Sequence, residues 1–580
     1  MRLNLFRSLQ NSHGSLSRIL GILGPTWRAC PARRLVQSLC LLGFLVLFFY
    51  VCWPYGSKQY AEAFRAREII DAELFLILDP LVSISTAIAA RMLVWSLAAA
   101  AGMIVLCLLF PRAFCGYVCP LGTLFDGFDW LIGKRLRTIT LREDGWWAGI
   151  RYYLLAAVMV AALFGLLLSG FVAAIPVLTR AMLLVLAPAQ MGLLKGRYLV
   201  PPMNPGHVLA IALVAGMFSL GLLGRRFWCS YVCPTGALFS TFSVFRLAER
   251  RVTGACVKCG QCLEACSFAA INEDFSTRVL NCTFCQTCGG YCPTGAIEFT
   301  TRWSPADPSE VKQNRCETPV SRRGLLAGLG GSVVAGIGAS LAVGQTPETK
   351  SGEPPIRPPG SAPEGRFLQL CIRCGQCIKV CPNNVLQPAG FEHGFDGLWT
   401  PKVVADWSGC EPSCNNCGHV CPTGAVRALS VEEKEAARIG LAVVDRGTCL
   451  PHAGRGSCQL CVDECRMAGY DAIEFVRVGG EVDANGEPVE GSGHLAPVVR
   501  EDRCIGCGLC QMRCRGINVK SERLLDHSAI RVVAGPGRED RIVSGSYRAL
   551  REERIRQRRE QQGHVEDAHD ESAYLPDFLK

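Results

Sequence analysis

Hydropathy divides the chain near residue 225. Before that point lie four long apolar stretches, at 35–53, 92–110, 152–172 and 208–223. Each is close to the ~20 residues a helix needs to cross ~30 Å of hydrocarbon, which predicts four membrane-spanning helices. A further apolar stretch, 74–90, is broken by Asp79-Pro80. Proline interrupts a continuous helix, so this segment reads as an interfacial or re-entrant piece. After residue 225 the apolar runs are short, with one exception. Residues 324–343 form a 20-residue run with six glycines, directly after Ser321-Arg322-Arg323.

Charge gives the helices a direction. The formal net charge is +10, but the basic residues gather at the ends of apolar segments, which points to membrane orientation rather than nucleic acid. Lys and Arg number 6 in residues 1–35, 5 in 111–147 and 12 in 225–323, against 3 each in 54–90 and 173–206. The positive-inside rule then places the first three regions in the cytoplasm. Parity agrees if 74–90 does not cross. Two matching motifs, "FCGYVCPLG" (Cys115, Cys119) and "WCSYVCPTG" (Cys229, Cys233), then follow the second and fourth helices on one side. Asp79 and His207 fall near the outer interface, as proton-handling candidates or as plain interfacial polar residues.

The chain has 33 cysteines and only nine histidines. A secreted disulfide scaffold would be short, and its cysteines would not repeat one spacing. Here six runs recur. The first two are Cys256, Cys259, Cys262, Cys266 and Cys282, Cys285, Cys288, Cys292; the next two are Cys371, Cys374, Cys377, Cys381 and Cys410, Cys414, Cys417, Cys421. The last two are Cys449, Cys458, Cys461, Cys465 and Cys504, Cys507, Cys510, Cys514. Five of the six close on C-x2-C-x2-C-x3-C or a one-residue variant, the spacing of bacterial [4Fe–4S] ferredoxins. Three thiolates two residues apart can wrap three corners of a cubane, while the fourth turns to the neighbouring cluster. Cys256, Cys259, Cys262 and Cys292 are thus expected to share one site, and Cys282, Cys285, Cys288 and Cys266 the other. Zinc sites pair two C-x2-C units across a longer loop and often recruit histidine; no histidine occupies a ligand position here. Twenty-four ligands give six clusters. The Cys449 run departs most, with eight residues between Cys449 and Cys458. Cys30, Cys40, Cys52, Cys107 and Cys316 lie outside all motifs. Cys115, Cys119, Cys229 and Cys233 could bind a metal or cluster or exchange a disulfide, or simply pack at helix-breaking turns.

Residues 319–346 resemble a twin-arginine export signal in mid-chain. Used as a fifth crossing, the segment would place everything after about residue 345 in the periplasm. A glycine-rich buried helix is the alternative, and Ser340-Leu341-Ala342 offers a cleavage site. The expected fold class is an α-helical membrane bundle of four helices plus a fifth connecting helix, with two α+β bacterial ferredoxin-type [4Fe-4S] domains. The expected order is a cytoplasmic N-terminus (1–34), the membrane domain (35–248), a two-cluster cytoplasmic ferredoxin domain (249–305) and a linker (306–320). There follow the fifth helix (321–344), a Pro-rich linker (345–365), a four-cluster periplasmic ferredoxin domain (366–525) and a charged tail (526–580).

These motifs carry a family resemblance. Residues 30–305 resemble the NapH-type membrane ferredoxin of periplasmic nitrate reductase systems. The matching features are Asp79-Pro80-Leu81, the two C-x3-C-P motifs, two cluster runs and "TTRWS" at 300–304. Residues 321–520 resemble the NapG-type periplasmic ferredoxin and the related MauM proteins. Those matches are the twin arginines, "RPPG" at 357–360, "CIRCGQC", "GLAVVD" at 440–445 and the Cys449 run. The resemblance implies a fused pair that takes electrons from membrane quinol to a periplasmic reductase or cytochrome. A redox-sensing or assembly factor, and a route outward from a cytoplasmic ferredoxin, are the other classes compatible with the motifs. The sequence has no recognisable flavin motif, molybdenum-site motif or substrate pocket, and no catalytic residue is assigned.

Overall fold

Proline starts many of the helices. Pro31, Pro80, Pro120, Pro205 and Pro234 each open one, where φ is already helical and no N–H is needed. The computed structural model describes residues 25–55, 59–136, 149–304, 353–479 and 493–557, with a few positions between 327 and 334. The expected fifth crossing, 321–344, lies outside the described residues apart from those few positions.

The apolar helices are α1 (Pro31–Val51), α2 (Pro80–Ala90), α3 (Ser96–Leu109), α4 (Ile150–Leu163), α5 (Ala174–Leu194) and α6 (Pro205–Leu222). With 21, 21 and 18 residues, α1, α5 and α6 are long and apolar enough to cross a membrane, at ~27–32 Å. The expected crossings at 92–110 and 152–172 contain shorter helices, α3 and α4, of 14 residues each, or ~21 Å.

α5 differs from the expectation, which made 173–206 a loop between crossings. Pro176, Arg180 and Pro188 interrupt its apolar pattern. Pro176 falls in the first turn, where proline is tolerated, and the π-helical segment Met182–Leu186 stands just ahead of Pro188, whose missing N–H breaks the ladder. The start of α5 packs on the helix Pro120–Phe128 that follows the first cysteine motif. Near its other end, Gln190 donates to the Phe49 carbonyl at the far end of α1 (3.1 Å).

The segment containing Asp79 is also placed differently from expectation. Asp79 is fully buried. Its carboxylate caps α2 at Leu81 N–H (3.1 Å) and accepts from Thr235 Oγ1 (3.2 and 3.3 Å). Thr235 follows Cys233 by two residues, so Asp79 lies at the level of the cysteine motifs, where the sequence did not place it. α2 ends at Arg91, whose left-handed φ of 50° turns the chain toward α3. His207 forms a reciprocal capping box with Asn204 at the start of α6, a structural use of its ring.

The chain forms two units. One comprises Met1–Trp53, Arg67–Pro347 and Leu368–Gln376; the other comprises Pro54–Ala66, Glu348–Phe367 and Cys377–Lys580. In the first, β1 (Ala248–Val252) pairs antiparallel with β2 (Ile297–Thr301) over a core that includes Phe275, Phe284 and Phe299. In the second, three antiparallel ribbons are built from β3 (Leu386–Pro388) with β4 (Pro401–Val403), β5 (Leu441–Val444) with β8 (Ile530–Val533), and β6 (Ile473–Val478) with β7 (His494–Val499).

A buried ion cluster ties the first unit together at the level of the cysteine motifs. The Asp126 carboxylate meets Arg226 Nε at 2.6 Å, Arg34 Nη1 at 2.7 Å and Arg33 Nη2 at 3.3 Å. Burial pushes this carboxyl up, but the guanidiniums, Arg226 foremost, outweigh it and hold the group below the ordinary carboxylate range. A depressed folded pKa gives stability that is present above the unfolded value and lost only as pH falls through the folded one. Lowering the pH from 7 to 5 is therefore expected to leave this contribution intact. Asp126→Asn strands the buried guanidiniums, and a loss of ~3–5 kcal/mol is expected in thermal or denaturant melts of the detergent-solubilised protein. A variant melting with the parent would show the cluster to be dispensable.

Candidate iron–sulfur centres

The cysteine loops share a backbone device. In four runs the residues flanking the second cysteine both take left-handed φ. These pairs are Lys258 and Gly260, Phe284 and Gln286, Arg373 and Gly375, and Gly506 and Gly508. Such conformations curl the backbone so that successive N–H groups line a concave, anion-binding surface. Strain at non-glycine positions such as Lys258 and Phe284 is typical of functional loops.

The structure brings cysteines of five sets together in fours, with fourth cysteines exchanged between runs. One apolar cavity is lined by Cys256, Cys259, Cys262 and Cys292. A second is lined by Cys449, Cys458, Cys461 and Cys514, and a third by Cys465, Cys504, Cys507 and Cys510. Cys266 lies in the electrostatic field of Cys285 and Cys282, as does Cys288, which also feels Cys266. Cys381 stands in the same way with Cys410, Cys414 and Cys417. The exchange inferred for the first two runs is thus seen in the fold, and it extends to the atypical Cys449 run. There Asn518 Nδ2 reaches both Cys458 Sγ (3.7 Å) and Cys514 Sγ (3.6 Å).

Among the described residues, no three His, Cys, Asp or Glu side chains converge as ligands of a single metal ion. Tetrahedral zinc, with Zn–S near 2.3 Å, draws four sulfurs to within ~4 Å of one another. Four cysteines lining one cavity, with no such tight set among the described residues, suit a cubane. Backbone N–H groups also meet sulfur, at Ala270 to Cys266 (3.3 Å), Val426 to Cys421 (3.4 Å), Ala472 to Cys465 (3.3 Å) and Ala442 to Cys504 (3.5 Å). Such bonds stabilise thiolate ligands and tune cluster potential. Burial pushes the thiols of Cys266 and Cys381 up to about 11, and those of Cys414, Cys461 and Cys507 up to about 12. Metal loading must therefore displace protons.

The Cys282 run is built into the rest of its unit. Gly116 approaches Thr283 closely enough that a Cβ would lie 3.3 Å from its backbone oxygen. Tyr117 donates to the Phe284 carbonyl (3.0 Å), Arg33 to Thr287 Oγ1 (3.0 Å), and Arg151 to Asn281 Oδ1 (2.7 Å). Arg112 reaches the carbonyls of Leu280 (3.3 Å) and Asn281 (3.2 Å). Cys30, outside every motif, donates to the Cys285 carbonyl (3.4 Å). Burial pushes the Cys285 thiol up, but Arg33 and the neighbouring threonines outweigh it and leave the group below its ordinary value. By contrast, Cys259 is exposed and the adjacent Val257 is 62% exposed, so the Cys256 site opens to solvent. In the same unit Arg373, between Cys371 and Cys374, donates to the Leu167 carbonyl (3.0 Å) and stacks on Phe171 (4.4 Å).

Arg33, Arg112, Asp126 and Arg226 were not singled out from the sequence. A signal was present: each C-x3-C-P motif is preceded, three residues before its first cysteine, by an arginine, Arg112 and Arg226. Cys316 lies outside the described residues.

Paired cysteine sets in curled, amide-lined loops define an iron–sulfur protein of the ferredoxin type, and sequence comparison agrees. A family described as a 4Fe-4S binding domain matches residues 92–138 and 206–251, and one described as a 4Fe-4S dicluster domain matches residues 370–425. The methylamine utilization ferredoxin-type protein MauM of Paracoccus denitrificans is 33% identical over 195 residues, covering 32% of this chain and 75% of its own length. The ferredoxin-type protein NapG of Escherichia coli is 37% identical over 162 residues, 27% of this chain and 65% of its own. The chain belongs to the NapG/MauM family of ferredoxin-type electron-transfer proteins. No solved structure matches it.

The exchange of fourth cysteines has a direct test. Cys292→Ser is expected to perturb the solvent-open Cys256 site, and Cys266→Ser the half-buried Cys282 site. Each should remove about four iron atoms per chain, with different EPR signals lost. Loss of the same signal in both variants would contradict the exchange.

Proposed function

We propose that the chain is a membrane-bound polyferredoxin that takes electrons from quinol and delivers them to a periplasmic reductase or cytochrome. In this reading residues 30–305 act as a NapH-type membrane partner fused to the NapG/MauM-type ferredoxin. Six [4Fe–4S] clusters occupy the six cysteine sets. When bound, they supply one-electron storage within a range of roughly −700 to +450 mV. The chain's own residues do the rest. Curled loops present amides, buried arginines such as Arg250 (3% exposed) offset thiolate charge, and apolar walls exclude water.

Segment placement supports an inner-membrane location with the C-terminal ferredoxin domain in the periplasm. Residues 111–136 and 249–304, both expected in the cytoplasm, join through Gly116, Tyr117 and Arg112. Residues Pro54–Ala66, expected outside, belong to the same unit as Cys377–Lys580, where Asn384 donates to Tyr55 (3.0 Å). The observation carrying the reading is the Cys282 site, built by named contacts into the unit that holds the membrane-length helices.

The solvent-open Cys256 site favours a second route, exchange with a soluble cytoplasmic carrier. The two are separated by rapid mixing of the anaerobic protein with a reduced quinol analogue. Bleaching of the cluster absorbance by quinol is expected. Inertness to quinol, with bleaching only by a low-potential ferredoxin, would contradict the quinol reading and support the second route.

A further inference from the structure

The C-x3-C-P motifs belong to an internal repeat whose two copies fold alike. Arg112 and Arg226 both take left-handed φ, 52° and 47°. Each is followed by a π-helical turn, Phe114–Val118 or Trp228–Val232. Cys119 and Cys233 leave those turns with φ, ψ of −63°, 113° and −62°, 114°. Their N–H groups close the turns on Phe114 and Trp228 carbonyls, at 2.8 Å in both copies.

The copies also clasp each other reciprocally. Arg226 Nη1 donates to the Cys115 carbonyl (3.1 Å), and Arg112 Nη2 to the Cys229 carbonyl (3.5 Å). A Cβ on Gly122 would lie 3.2 Å from Arg226 Nη1 and 3.3 Å from the Cys115 carbonyl oxygen. One on Gly236 would lie 3.2 Å from Arg112 Nη2 and 3.1 Å from the Cys229 carbonyl oxygen. Both guanidiniums stack on one ring, Phe268, at 5.5 and 4.6 Å. Phe268 follows Cys266 by two residues and is 2% exposed.

This pseudo-two-fold arrangement collects four thiols. Cys119 lies within the electrostatic field of Cys115, Cys229 and Cys233, and Cys233 within that of Cys229 and Cys115. Around them are buried donors with no acceptor in the protein: Arg112 Nε, Arg226 Nη2, Trp228 Nε1 and Ser230 Oγ. Buried polar groups left unmatched are costly. Asp126 balances Arg226, whereas Arg112 meets carbonyl oxygens and a ring and no carboxylate among the described residues; that cation and the four orphan donors fit an anionic group with several acceptor atoms. A neutral disulfide or packed thiols would leave them unmatched.

We propose that Cys115, Cys119, Cys229 and Cys233 ligate one additional iron–sulfur cluster, two cysteines from each half of the repeat, beside the Cys266–Cys282–Cys285–Cys288 site. This deepens the electron-transfer reading by giving the membrane half a centre of its own, joined to the ferredoxin half through Arg112, Gly116, Tyr117 and Phe268.

The test compares the anaerobically purified full chain with Cys115→Ser/Cys229→Ser and with the control Cys40→Ser. The double variant is expected to lose two to four iron atoms per chain, an equal number of acid-labile sulfides, and one EPR signal. Cys40→Ser should lose none. Only differences from the parent are read, so a miscount of the six ferredoxin-run clusters would not imitate or mask the result. Unchanged iron in the double variant, or a disulfide at these cysteines in parent protein alkylated without reductant, would overturn the proposal. If the double variant fails to accumulate, Cys119→Ser is read by EPR. An oxygen ligand should shift the g values and midpoint potential of one signal, and an unaltered set of signals overturns the proposal.

Discussion

The constraint on which the rest of the structure depends is charge balance around buried sulfur. A thiolate-bound cluster is anionic, and an anion removed from water must be met by hydrogen-bond donors or cations. This chain supplies both. Backbone amides meet sulfur at Cys266, Cys421, Cys465 and Cys504. Buried arginines stand by the cysteines of the first ferredoxin pair, with Arg250 in the field of Cys288, Cys282 and Cys262 and Arg33 in that of Cys285. Arginine suits this use because its guanidinium stays charged and carries five donors in a rigid fork.

Charge balance also explains how membrane-length helices and a ferredoxin fold cohere in one unit. Arg33 and Arg34 open α1, Arg112 follows α3 and Arg226 follows α6, and all reach the level of the cysteine motifs. Asp126 gathers three of them, while Arg112 is left to hold Leu280 and Asn281. The same arginines that organise the helix ends therefore position the Cys282 loop. Asymmetry within the repeat follows from this. Gly116 admits Thr283 at close range, whereas its counterpart in the second copy is the buried Ser230.

Cysteine chemistry was the most legible part of the sequence, because ligand spacing is local. The fours, and the exchange of Cys266 and Cys292, follow from C-x2-C-x2-C-x3-C; three fours line cavities, one of them with Cys292, and Cys266 stands with Cys282 and Cys285. Helix length was less legible. α5 was missed because Pro176, Arg180 and Pro188 disrupt the hydropathy of a helix that tolerates all three by placing them in a first turn, in a buried contact and just after a π-segment. The contact of Asp79 with the second cysteine motif was not legible because it joins residues 156 apart, through Thr235. The reciprocal arginines escaped notice for a similar reason. Their significance appears only when the two copies are placed face to face.

Metal and sulfide analysis of the anaerobically purified full chain tests the central claim most directly. If cysteine fours hold cubanes, iron and acid-labile sulfide should appear in a one-to-one ratio at about four of each per set, with no stoichiometric zinc. Zinc bound in place of iron, or iron without matching sulfide, would contradict it.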